Sequence, residues 1–124
     1  MFGFKYAVAG LSLLVQTQRN ARIHILAALL VTAAGLFFCL SPMEWIPIVL
    51  AVAAVWITEA LNTAIECLAD VVSPAYHPKV KQAKDLAAGA VLLAAVGSIL
   101  VGLLIFGPHV LQMMHCSFSN CSPR

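Results

Sequence analysis

The chain has 124 residues, 62% of them hydrophobic and 10% charged, with a mean hydropathy of +0.97. A soluble domain of this length does not carry so apolar a composition, so the chain reads as an integral membrane protein with room for one domain. The net charge of +2 is too small and too dispersed to suggest nucleic acid as a partner. A chain this short with several spans has little internal core, and completion by self-association is expected.

Residues Phe4 to Gln18 place Phe4, Val8, Leu11 and Val15 on one helical face, with Lys5, Ser12 and Gln16 near another. This pattern predicts an amphipathic helix lying in the membrane interface, over residues 4–20. The same stretch lacks the basic start, continuous apolar middle and small-residue cleavage site of a signal peptide, so insertion is expected to rely on the spans themselves. Ile23 to Leu40 is long and apolar enough for a first span, and Ser41-Pro42 stops it, because proline disfavours helix in the residue before it. The short connection from Ser41 to Glu44 sends the next helix back antiparallel, with Trp45 placed as an interfacial aromatic.

The second span runs from Trp45 to Val72, about 42 Å at 1.5 Å per residue, which exceeds a hydrocarbon core of about 30 Å. Its last turns must therefore emerge. Ser73-Pro74 ends it, and Ser73 to Lys84 reads as a polar connection with Tyr76, His77, Lys79, Lys81 and Lys84. Asp85 to Gly107 supplies the third span, whose many alanines and glycines permit close helix packing. The predicted organisation is a membrane domain over residues 1–110, with spans near 23–40, 45–72 and 85–107, and a polar tail over residues 111–124. Cys116 and Cys121 in that tail lie near His115, but one such pair is a weak metal or disulfide signal.

Six of the seven Lys and Arg residues precede the first span or lie between the second and third. The positive-inside rule makes those segments cytoplasmic, and the turn at Ser41 and the tail then lie outside.

Four of the five carboxylates fall between residues 59 and 85. At about 100° per residue, Asn62, Glu66 and Asp70 all lie within roughly 60° of Glu59, so the four form one stripe on an otherwise apolar helix. Such a stripe faces protein, water or substrate rather than lipid. It is either a polar seam gluing helices together or a functional site, and ionisable groups within spans mark functional sites by default. Carboxylates opposite a Lys-Asp pair at a membrane surface suit magnesium-dependent phosphoryl transfer. Magnesium is held by one or two carboxylates plus substrate phosphates, a second carboxylate can take a hydroxyl proton, and a lysine can neutralise phosphate charge. No Gly-x-x-x-x-Gly-Lys-Ser/Thr loop is present, so a nucleotide would bind without that cradle.

The run Glu59-Ala-Leu-Asn-Thr-Ala-Ile-Glu66-Cys-Leu-Ala-Asp70, followed by Ser73-Pro-Ala-Tyr-His-Pro78 and Ala83-Lys-Asp-Leu-Ala-Ala-Gly-Ala-Val91, closely resembles the prokaryotic diacylglycerol kinase family, which includes undecaprenol kinases. The similarity extends from about Phe4 to Gly107. It implies an all-α membrane protein with a surface helix and three transmembrane helices, a homotrimer with active sites at subunit contacts near the cytoplasmic face of the bacterial inner membrane. It implies ATP- and Mg²⁺-dependent phosphorylation of a membrane lipid, diacylglycerol or undecaprenol. Carried over by position, Glu59 is the general base, Asn62 and Asp70 organise the site, and Glu66 is a magnesium ligand. Lys84 and Asp85 contact ATP, while Tyr6, Tyr76 and His77 match nucleotide-contacting positions.

From the residues alone, Tyr6 reads equally as an aromatic anchor, Tyr76 and His77 as an interfacial turn, and Lys79 and Lys81 as topology signals. Gln18 stands where the family often carries a second metal-binding glutamate, so its amide would make a weak or water-mediated magnesium contact. The family's early arginine on the surface helix has no counterpart, although Lys5 is nearby. Two other classes fit the composition: a small transporter or proton-relay subunit, whose conduction path would use the stripe, and a non-catalytic assembly subunit.

Overall fold

The computed structural model describes residues 2–119. Within them lie four helices, α1 (Phe2–Thr17), α2 (Arg19–Phe37), α3 (Pro42–Val72) and α4 (Pro78–Ser119). The last three are long and apolar enough to cross a membrane. The all-α architecture of one surface-type helix and three candidate spans is the one the hydropathy pattern predicts. Cys121 lies outside the described residues.

A single residue separates α1 from α2. Gln18 is extended, at φ −100° and ψ 119°, so the two helices meet at an elbow rather than continuing as one. Arg22 closes the elbow by donating from Nε to the Val15 carbonyl at 3.0 Å and from Nη2 to the Gln16 carbonyl at 2.6 Å. Those carbonyls have no partner further along their own helix, and a cation suits the negative end of the helix dipole. Leu14 and Ala21 are buried at the joint.

The turn between α2 and α3 is set by local chemistry. Cys39 takes φ 53°, and the Leu40 and Cys39 amides donate back to the Gly35 and Leu36 carbonyls. This is the Schellman arrangement, with cysteine where glycine is usual. Gly35 is required here: a Cβ would lie 2.6 Å from Trp45 Cη2, so the indole can rest on α2 only where α2 has no side chain. Helix α3 then starts at Pro42 rather than near Trp45, because Ser41 and Glu44 form a reciprocal capping box that draws Glu44 into the first turn.

Helix α4 departs furthest from the hydropathy reading. It begins at Pro78, so Lys79, Lys81 and Lys84 are helical, and it continues through Pro108 to Ser119. His77 starts it, its Nδ1 accepting from the Lys79 amide at 3.2 Å, with Pro78 in the first helical position where a missing N–H costs nothing. Lys, Gln and Ala are good helix formers, and hydropathy marks where the apolar span begins rather than where the helix does.

Helices α3 and α4 form the principal packed pair. Ser98 on α4 shares its hydroxyl proton between the Ala94 carbonyl of its own helix at 2.8 Å and the Ala51 carbonyl of α3 at 3.2 Å. At the α2–α3 turn, Phe38 lies against the rings of Phe106 and His109. Few side chains are buried within one chain, and most of the large apolar ones on the spans are exposed for lipid or further protein to cover.

Candidate active site

The second half of α3 carries the polar stripe. Glu59 is the most deeply buried ionisable side chain among the described residues, at 2% exposure. Its Oε2 is buried without a hydrogen-bond partner, and so are Asn62 Oδ1 and Thr63 Oγ1. A buried carboxylate oxygen left unpaired costs far more than a paired one, so the arrangement calls for a ligand or solvent at that point.

One turn further on, Asn62 Nδ2 donates to Glu66 Oε1 at 3.2 Å, which orients the carboxylate and leaves its second oxygen available. Past that, Asp70 receives Lys84 Nζ from α4 at 2.6 Å, an ion pair spanning the two helices near the water-exposed end of the stripe. The structure therefore assembles Glu59, Asn62, Glu66, Asp70 and Lys84 along one edge of the α3–α4 pair.

The remaining candidates are not drawn into it within one chain. Asp85 pairs with Lys81, one turn back on α4, at 2.6 Å, so the adjacent Lys84 and Asp85 engage different partners. His77 caps α4, and Tyr76 and Tyr6 are exposed. Gln18 occupies the α1–α2 elbow, and its side chain makes no hydrogen bond among the described residues. Thr63 was not singled out by the sequence pattern. Its signal was its place one turn beyond Glu59 within the stripe's arc.

No group of three His, Cys, Asp or Glu side chains able to hold a metal ion occurs among the described residues. The donor set still fits magnesium delivered on nucleotide phosphates, since such an ion needs only one or two protein carboxylates and Glu66 is oriented with a free oxygen.

Beside the stripe, a groove of about 360 Å³ runs between α2, α3 and α4, walled by residues such as Ala28, Val31, Val52, Val55 and Ile99. Val55, in the wall of this groove, lies one helical turn before Glu59.

Three candidate spans, with a buried acid and an interhelical lysine at one end, define a small multi-pass membrane protein with a polar site at its edge. The model of the prokaryotic diacylglycerol kinases matches residues 5–106, and the chain belongs to that family. It is 43% identical over 107 residues to an undecaprenol kinase of Bacillus subtilis, covering 86% of this chain and 87% of that one. It is 41% identical over 115 residues to a diacylglycerol kinase of Synechocystis, covering 92% of this chain and 66% of that one.

Proposed function

We propose that this protein is a membrane lipid kinase that transfers the γ-phosphoryl group of ATP to the hydroxyl of diacylglycerol or undecaprenol. The observation that carries this reading is the buried, unpaired Oε2 of Glu59, with Glu66 and Lys84 further along the same edge and an apolar groove whose Val55 stands one helical turn away. Family membership and relatives named as kinases of these two lipids support it.

In this mechanism the groove takes the hydrocarbon chain and brings the hydroxyl to Glu59. The unpaired Oε2 of Glu59 is the acceptor that the hydroxyl proton meets there. Glu59 removes the hydroxyl proton as the oxygen attacks phosphorus. Glu66, held by Asn62, would hold magnesium carried on the nucleotide, and the ion would supply neutralisation of phosphate charge. Lys84 exchanges its bond with Asp70 for the phosphates, and Asp70 keeps it in reach until the nucleotide arrives. Tyr6, Tyr76, His77 and Asp85 contact the nucleotide, and Gln18 would make a weak or water-mediated contact to the ion.

Tyr6, Tyr76, His77 and Asp85, exposed on one chain, approach the stripe from a neighbouring subunit of a homotrimer. The site faces the cytoplasm, where the basic segments place it and where ATP and magnesium are available. The membrane domain ends near residue 110, and the described residues beyond it, the last turns of α4, lie outside.

The test is transfer of label from γ-labelled ATP into organic-extractable product, with purified protein supplied diacylglycerol and undecaprenol in parallel. Labelling of either lipid is expected; labelling of neither would end this reading. Orientation is checked with Cys39 as the sole thiol, the other cysteines being replaced by serine. An impermeant thiol reagent should modify it in intact cells, and reaction confined to inverted vesicles would reverse the topology.

A further inference from the structure

The threonines of this chain behave alike with one exception. There are four of them, and Thr17, Thr32 and Thr58 each donate to the carbonyl four residues earlier, at 2.8, 2.8 and 2.9 Å. This back-bonding is the usual way a helical hydroxyl satisfies itself within a membrane. Thr63 does not follow it: its hydroxyl is buried and without a partner, although the Glu59 carbonyl stands at the corresponding position. Among the described residues the two other buried unpartnered side-chain oxygens are Glu59 Oε2 and Asn62 Oδ1, within about one turn on the same helix. Glu59 as a carboxylate and Asn62 through its oxygen can only accept, so Thr63 is the one donor of the three.

Residues at i and i+4 have Cβ atoms about 5–6 Å apart. Two oxygens that each hydrogen-bond a common oxygen at about 2.7 Å can lie up to about 5.5 Å from one another. Glu59 and Thr63 stand at i and i+4, and Glu59 Oε2 and Thr63 Oγ1 make no bond to each other. An alcohol has one proton to give and lone pairs to receive with, and a site for it needs one acceptor and one donor.

We propose that Thr63 binds the acceptor lipid, its hydroxyl donating to the lipid alcohol oxygen while Glu59 Oε2 accepts that alcohol's proton. The inference rests on the lipid kinase reading with Glu59 as base. In the transfer, the alcohol O–H bond breaks and its proton goes to Glu59. The alcohol oxygen forms a bond to the γ-phosphorus, and the bond from that phosphorus to the β–γ bridging oxygen breaks, its electron pair leaving with ADP. Thr63 exchanges no atom. It holds one lone pair so that another points at phosphorus, which makes it a determinant of acceptor binding and alignment and not of nucleotide binding.

The experiment compares Thr63→Val, which keeps shape and loses the hydroxyl, with Thr63→Ser, which keeps the hydroxyl. Full-length protein in lipid nanodiscs is assayed with dioleoylglycerol and with undecaprenol, varying lipid at saturating ATP and ATP at saturating lipid. Thr63→Val should lower kcat/KM for the lipid about tenfold, as expected for one lost hydrogen bond in a desolvated site, with the KM for ATP unchanged. Thr63→Ser should recover to within about threefold of wild type. If Thr63→Val does not fold, Thr63→Ala carries the same expectations. Lipid kinetics of the valine variant within twofold of wild type would overturn the inference. So would equal losses toward lipid and ATP that serine does not restore, which would mark a structural role. A wild-type protein that labels neither lipid would instead fail the kinase reading itself. An active wild type, an inactive Glu59→Gln and an unaffected Thr63→Val would fail this inference alone.

Discussion

The two ends of α3 carry similar chemistry and treat it oppositely. At the Ser41 end, Glu44 Oε2 accepts from the Ser41 amide at 2.8 Å and the Ser41 hydroxyl at 2.7 Å, and its Oε1 faces His109 Nε2 of α4 at 3.5 Å. His109 in turn meets the Ile105 carbonyl through Nδ1 at 3.0 Å. Every polar group named there is engaged, and the effect is to tie α2, α3 and α4 together at one end. At the other end, buried oxygens of Glu59, Asn62 and Thr63 have no partner, and the charged groups beyond them form pairs that a phosphate could replace. Satisfied polar groups stabilise and specify a fold, while buried unsatisfied ones cost stability and persist where a ligand uses them. The closed end is architecture, and the open end carries the proposed site.

This contrast can be broken by experiment. The largest effect is expected at Glu59: Glu59→Gln preserves size but removes proton-accepting capacity, so lipid phosphorylation should fall at least about a hundredfold with nucleotide affinity little changed. Near-normal turnover would show that the open end is not the catalytic one. Next comes Lys84→Met, which should lower kcat/KM for ATP by roughly ten- to a hundredfold, the range for a lost charge-assisted bond to phosphate, while thermal stability in detergent stays near wild type because the Lys84–Asp70 pair is largely exposed. A stability loss without a kinetic one would make that pair a structural clasp.

The closed end should answer in the other currency. Ser41→Ala removes the capping box and is expected to reduce stability by about 1 kcal/mol, read as an earlier thermal midpoint, with turnover per folded molecule unchanged. A fall in turnover at unchanged stability would erase the distinction between the ends. The smallest effect is expected at Cys39, whose φ of 53° suits glycine. Cys39→Gly should stabilise the turn by about 0.5 kcal/mol, the relief of left-handed strain less the extra freedom of glycine in the unfolded chain. A destabilised variant would mean that the cysteine side chain contributes contacts outweighing its strain.

Hydropathy and helical period were enough to determine a membrane protein of one amphipathic and three spanning helices, because bilayer thickness imposes span length and an acid in a span has few acceptable directions to face. They also put Glu59, Asn62, Glu66 and Asp70 on one stripe, since 3.6-residue periodicity alone dictates a shared face. Helix ends were legible only in part: the Ser41-x-x-Glu44 signal stood in the sequence, but apolar boundaries conceal a helix that continues into polar residues, as α4 does at Pro78. What needed three dimensions was the choice of partners. Sequence adjacency pairs Lys84 with Asp85, whereas the packing of α4 on α3 joins Lys84 to Asp70, which lies fourteen residues away in the chain. Only packing could bury Glu59, and only the buried, unpaired hydroxyl of Thr63 revealed a donor on the same stretch of helix. Period and composition act along a single helix, but burial and hydrogen bonding depend on what the neighbouring helix leaves uncovered.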